Sequence, residues 1–220
     1  MSEPNFDDYD LPSPEEFFVP EEHQAAFERC EAHKDSFLIA GMGWGLFETS
    51  WGVRGFENVL TDCIAHPDFY AELLERIKDL FLAFVEYAAE LPVDGIFFGD
   101  DWGDQRGVII GPERWRTFLK PRWAEIYQAV HDNDMLVLSH CCGSVADIMP
   151  DIIEIELDVL ESVQPEAYGM NPFELKKQWG DQIAFWGGLG SQSTIPFGTP
   201  SEIKQQVRRL CDEMGRGGGY

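Results

Sequence analysis

The sequence predicts an α/β protein built as a partial (β/α)8 barrel, and three observations carry that expectation. Five apolar runs of strand length, near residues 37, 95, 135, 158 and 183, alternate with segments of helical periodicity. The links between them are short, which implies parallel strands joined by right-handed crossovers. Polar residues collect just after nearly every run, where such a barrel keeps its reactive face. A doubly wound sheet is the competing arrangement, yet no GxGxxG or GxxxxGK(S/T) phosphate loop follows any run. Gly41-Met42-Gly43-Trp44-Gly45 is too short for one. A closed barrel takes about 250 residues. Five strands and a stub in 220 residues predict one lacking pieces at both ends.

Composition narrows the class. Hydrophobic residues are 44% and charged residues 25%, as in soluble globular proteins. Forty acids against sixteen bases give a net charge of −24, a field that repels nucleic acid and anionic membrane. Neither is expected as a partner. No apolar run approaches membrane-spanning length. The first twenty residues lack the basic and apolar regions of a signal peptide. Five cysteines without framework spacing suit free thiols in a reducing compartment, so the cytoplasm is the expected location.

Two regions are expected: an acidic, proline-rich arm with a short helix over 1–36, and a barrel domain over 37–220. Residues 1–22 carry eight acids and no base, with prolines at 4, 12, 14 and 20, which predicts an extended surface arm. Glu21 to Lys34 predicts a weak helix. Phe37 to Gly43 reads as a buried strand, followed by an aromatic loop with Trp44, Phe47 and Trp51. That loop is either hydrophobic plugging or the wall of a pocket for a flat ligand. Phe56 to Ile64 predicts a helix, and Pro67 suits the first turn of another. In that second helix Phe69, Leu73, Ile77, Leu80, Phe81, Phe84 and Ala88 mark a core face, and Pro92 stops it. Gly95 to Gly99 is the next strand. A helix from Pro112 is broken or kinked at Pro121 and resumes through Val130. A strand over 135–139, a helix over 144–155 containing Pro150 and a strand over 158–163 follow. Then come a helix over 172–179, a strand over 183–186, and a last helix capped by Thr199 that runs to Met214.

The chemistry centres on Ser139-His140-Cys141-Cys142-Gly143, at the end of the third strand. Residues two apart on a strand face the same side, so His140 and Cys142 point together while Cys141 turns away. Imidazole and thiolate are both good zinc ligands. The plainer reading is a buried strand with cysteines as small apolar fillers. Position at a strand end favours the metal reading.

Several segments together resemble the uroporphyrinogen decarboxylase superfamily. They are Arg54-Gly55-Phe56-Glu57-Asn58, Phe98 to Gln105, Ser139 to Ser144, Val163-Gln164-Pro165, Phe185-Trp186-Gly187-Gly188 with Gln192, and Pro196 to Pro200. The resemblance spans about residues 10–220 and includes the terminal Gly-Gly-Gly-Tyr. It implies a (β/α)8 barrel, in a family of porphyrinogen decarboxylases and zinc-dependent, corrinoid-linked methyltransferases and demethylases. It also implies a longer chain, with two earlier strands and the end of the eighth missing here.

The methyltransferase-like branch implies zinc on His140 and Cys142, a third ligand beyond Tyr220, a small-molecule substrate and a corrinoid on a partner protein. In that reading Asp100 and Asp101 orient a ligand or position substrate, and only one of these neighbours faces inward. Trp102 would stack on a flat ligand. Gln105, Gln164 and Gln192, just past three strand ends, suit a polar, uncharged group, or brace the loops. The decarboxylase branch needs no metal: Asp100 or Asp101 acts as the acid, and Arg54 and Arg106 clamp carboxylates. A third alternative is an inactive or unstable fragment that exposes barrel-edge strands or works only after pairing with another chain.

Overall fold

The computed structural model describes residues 3–7, 9, 11–13, 16 and 19–220. The arm expected over 1–22 falls in part on residues 1, 2, 8, 10, 14, 15, 17 and 18, which lie outside the described residues. Elsewhere in the arm Phe6 packs on Phe69 at 5.0 Å, with the Arg76 guanidinium 3.8 Å from its ring centre.

The five strands come in the expected order with helices between them, but the first, expected to be buried, is exposed at Ile39 and Gly41. The elements begin with α1 (Pro20–Ala32), β1 (Ile39–Gly41), α2 (Leu46–Arg54), α3 (Phe56–Ala65), α4 (Pro67–Ala89) and β2 (Gly95–Gly99). Next come α5 (Pro112–Arg114), a π-helical segment (Trp115–Leu119), α6 (Lys120–His131) and β3 (Leu136–His140). A 3-10 turn (Ala146–Ile148) leads into α7 (Met149–Glu154) and β4 (Val159–Ser162). The chain closes with α8 (Pro172–Trp179), β5 (Ala184–Gly187), α9 (Thr194–Phe197) and α10 (Pro200–Met214).

The strands form one sheet in the order β1-β2-β3-β4-β5. The β1/β2, β3/β4 and β4/β5 pairs are parallel. A doubly wound sheet reverses its order at a switch point, whereas a (β/α)8 barrel runs in sequence. The fold is therefore the α/β arrangement of an incomplete (β/α)8 barrel.

Two compact units divide the chain. The first is Met1–Asp100 with Arg116–Val137; the second is Asp101–Trp115 with Leu138–Tyr220. The core of the first is the face of α4 that buries Leu73, Ile77, Phe81, Val85 and Ala88 at helical spacing. Each of these side chains except that of Ala88 contributes about 1.5–3 kcal/mol when fully buried. Phe81, Phe98, Trp123 and Tyr127 form an aromatic cluster with ring centres 5.2–6.2 Å apart.

The helix expected to break or kink at Pro121 loses its α-helical regularity just before that residue. The chain widens into the π-helical segment first, which places Pro121 in the first turn of α6, where its missing N–H is harmless. Buried Arg122 donates to the Phe118 carbonyl at 2.6 Å and the Ala71 carbonyl at 3.0 Å, and pairs with Glu75 at 2.7 Å. Pro150 acts similarly: the helix expected over 144–155 is a 3-10 turn followed by α7, with Pro150 in the first turn of α7.

The aromatic loop expected after β1 is a helix, α2. It buries Leu46, Phe47, Ser50 and Arg54 on one face. Two aromatics, Phe47 and Trp51, and Gly52 in nine residues hid that face from pattern reading. Helix α9 also lies where no element was expected. Thr199 caps α10 as expected, with a reciprocal Glu202 bond completing the capping box.

Candidate metal centre

All side chains of the centre belong to the second unit. His140 is the last residue of β3, and Cys142 follows two residues on. Their alternation brings Cys142 Sγ to 3.2 Å from His140 Nε2. Cys141 turns away: its fully buried sulfur accepts from the Trp102 amide at 3.2 Å. Asp101 adds the third donor, with Oδ1 at 3.4 Å from His140 Nε2. The Cys142 amide donates to the same oxygen at 2.7 Å, which fixes the carboxylate. Nitrogen, sulfur and oxygen donors of His140, Cys142 and Asp101 all lie within 4.8 Å of one another.

This donor set fits zinc. Usual Zn–N, Zn–O and Zn–S bonds in a tetrahedron put donor atoms about 3.3–3.7 Å apart. The 3.4 Å His140–Asp101 distance falls in that range, and the 3.2 Å His140–Cys142 distance is shorter than it, so the sulfur would move outward on binding. Glu161 stands opposite His140 in the β3/β4 register, and its carboxylate contacts His140 Nδ1. A carboxylate on Nδ1 holds the proton there and leaves the Nε2 lone pair for a metal. The side chains of His140 and Asp101 are 30% and 32% exposed, so solutes reach the donors.

Close backbone packing fixes the loops that carry these residues. Gly143 has φ +75°, and a Cβ on it would stand 2.6 Å from the Asp104 carbonyl oxygen. That space is used: Ser144 N–H donates to the Asp104 carbonyl at 2.7 Å. The Gly143 amide donates to Gln164 Oε1 at 3.0 Å, and Ser144 Oγ donates to the Tyr168 carbonyl at 2.6 Å.

The other singled-out residues lie in varied settings. Asp100, fully buried in the first unit, accepts from Phe47 N at 3.3 Å, Glu48 N at 3.0 Å and Trp123 Nε1 at 3.1 Å. Trp102 is fully buried, packed edge-on against Trp115 at 5.3 Å. Arg54, also in the first unit, is 6% exposed and pairs with Asp62 at 2.6 Å. Arg106 is 90% exposed and reaches Asp104 at 3.3 Å. The Arg106 amide, first among several donors, holds the Asp104 carboxyl below its usual value. Gln164 is buried, whereas Gln105 and Gln192 are exposed.

Sequence reading missed Glu161. The signal was an acid in the run Val159-Leu160-Glu161-Ser162, since a charge in a half-buried strand needs a partner. Among the described residues no helix is long and apolar enough to cross a membrane.

The model of the family described as uroporphyrinogen decarboxylase (URO-D) matches residues 30–220. A curated uroporphyrinogen decarboxylase from Pelobacter propionicus is 23% identical over 162 residues, covering 74% of this chain and 44% of that protein. A solved structure of a methyltransferase from Methanosarcina mazei aligns with a TM-score of 0.73 at 19% identity, over 91% of this chain and 56% of that one. The chain thus spans about half the length of either protein.

Proposed function

The chain belongs to the uroporphyrinogen decarboxylase family, and from that premise we propose that it serves zinc-dependent methyl transfer or demethylation of a small substrate. In this reading Asp101, His140 and Cys142 hold the metal, and a corrinoid-bearing protein is the methyl-transfer partner. The observation that carries it is the convergence of nitrogen, sulfur and oxygen donors within 4.8 Å, backed by Glu161 on His140 Nδ1. Bound there, zinc would supply the positive charge that lowers the pKa of an incoming thiol or similar nucleophile.

The chain's own groups prepare the place. Glu161 keeps the proton on Nδ1 and so orients the imidazole. The Cys142 amide holds the Asp101 carboxylate toward His140. Gln164 steadies the turn after Cys142 through the Gly143 amide. Gln105 and Gln192 are exposed, which suits them to meet a polar, uncharged substrate group. The sequence resemblance placed the third ligand beyond Tyr220; Asp101 offers a donor within the chain.

Metal-free decarboxylation of a porphyrinogen is the second reading, favoured by the name of the Pelobacter relative. It requires cations for several carboxylates. Arg54 is committed to Asp62, Arg106 reaches Asp104, and the net charge of −24 opposes a polyanion.

Elemental mass spectrometry on the purified chain decides between them. Near-stoichiometric zinc that is lost in His140→Ala and Cys142→Ala but kept in Cys63→Ala supports the first reading. Equal zinc in all three variants rejects it. Conversion of uroporphyrinogen by a zinc-free chain would establish the second.

A further inference from the structure

Strand β4 ends in two consecutive residues with left-handed backbone, Ser162 at φ +85° and Val163 at φ +42°. Neither is glycine, and for a β-branched residue this is a true outlier. Such conformations persist only where the surroundings over-determine them, and they gather at functional sites. Here the surroundings do. Val163 is 1% exposed, so packing grips its side chain. The Gly188 amide donates to the Ser162 carbonyl at 3.1 Å, and a Cβ on Gly187 would stand 2.2 Å from that same oxygen.

The conformation has a geometric result. Successive side chains of a regular strand face opposite sides. Glu161 reaches His140 Nδ1, so Ser162 should face away. Instead Ser162 Oγ lies 3.9 Å from Cys142 Sγ. Two consecutive residues of one strand therefore serve one His–Cys pair, and the left-handed backbone at Ser162 accounts for it.

We infer that Ser162 is a positioning residue of the centre: its hydroxyl donates to the Cys142 sulfur and holds it toward His140 Nε2. The inference rests on the metal reading above and adds a residue to it. Loss of an outer partner typically weakens metal binding about 10–100-fold.

The test uses the whole chain with Ser162→Ala and Ser162→Gly. Glycine removes the hydroxyl but relieves the positive φ, so it separates hydrogen bonding from strain. Zinc affinity is read by competition with a chelating dye, and folding by thermal melting. Both variants should bind zinc about tenfold more weakly or worse, and Ser162→Gly should melt no lower than wild type. Wild-type affinity in Ser162→Gly overturns the inference, whatever Ser162→Ala does.

If the wild-type chain binds no zinc, the metal reading fails by itself, and a second measurement decides on Ser162. Iodoacetamide alkylation of Cys142 is then followed in metal-free protein with thiols fully ionised, with exposed Cys211 as internal reference. A sulfur that has lost a donor is the stronger nucleophile, so Cys142 should react several-fold faster in both variants. Unchanged relative rates overturn the inference.

Discussion

Asp100 and Asp101 stand side by side after β2 and engage separate sets of partners. Asp100 takes three N–H donors, from Phe47 and Trp123, which are buried, and from part-buried Glu48. Asp101 takes the Cys142 amide and lies 3.4 Å from His140 Nε2. Adjacent identical residues thus separate into a structural carboxylate and a carboxylate at the candidate centre.

That division predicts opposite phenotypes. Asp100→Ala strands two buried donors, each worth about 1–3 kcal/mol when left unsatisfied, and one part-buried donor, so a loss of about 2 kcal/mol or more is expected in urea unfolding. Asp101→Asn keeps an acceptor for the Cys142 amide but removes the charge. It should melt close to wild type and lose most of its zinc affinity in a chelator competition. Wild-type zinc affinity in Asp101→Asn would remove Asp101 from the ligand set.

Much of this was legible in the sequence, and the reasons differ by residue. The strands were readable because apolar runs ended at glycine or polar residues. The same-side placement of His140 and Cys142 followed from strand alternation alone. Helix α2 was not readable, because Gly52 and closely spaced aromatics mask a nine-residue amphipathic face. Asp101 could not be separated from Asp100 as a donor beside His140, since spacing along one chain does not say where two strand ends meet. Ser162 was hidden more deeply: strand parity assigns it to the wrong side, and only the positive φ at Ser162 and Val163 reverses that.

Glu161 should matter through its acceptor rather than its charge alone. Glu161→Gln can still accept from His140 Nδ1 through its amide oxygen, whereas Glu161→Ala cannot. Zinc affinity should fall about 10–100-fold in the alanine variant and less in the glutamine variant. Equal losses in both would point to the charge, not the hydrogen bond.

Gly187 carries a constraint that no other residue meets. It has φ +113°, and a Cβ there would lie 2.2 Å from the Ser162 carbonyl oxygen. Gly187→Ala must therefore displace the end of β4 as well as strain its own backbone, at about 1–3 kcal/mol for the conformation. A lowered melting temperature together with weakened zinc binding is expected. A stable variant with wild-type zinc affinity would show that the β5 end does not position Ser162.

Stability should also fall on acidification, through α4. Burial pushes the Glu75 carboxyl up, but the hydrogen bond from Lys78 and the charge of Arg122 outweigh it, and the net shift is downward. Glu75 Oε2 lies 2.8 Å from Lys78, and Oε1 lies 2.7 Å from Arg122. A carboxyl depressed in the folded state contributes stability above its unfolded value, and that contribution disappears as pH falls through the folded value. Lys78 shifts the other way. Burial pulls it down, the Glu125 and Glu75 hydrogen bonds raise it further, and the net shift is upward. Its contribution is present below the ordinary lysine value and is lost as pH rises through the raised one. Glu75→Gln should flatten the acid limb of a stability-against-pH curve measured by urea unfolding. On the alkaline limb it should remove only part of the slope, because Glu125 still holds Lys78 at 2.6 Å. An acid limb as steep as wild type would show that other carboxylates set it.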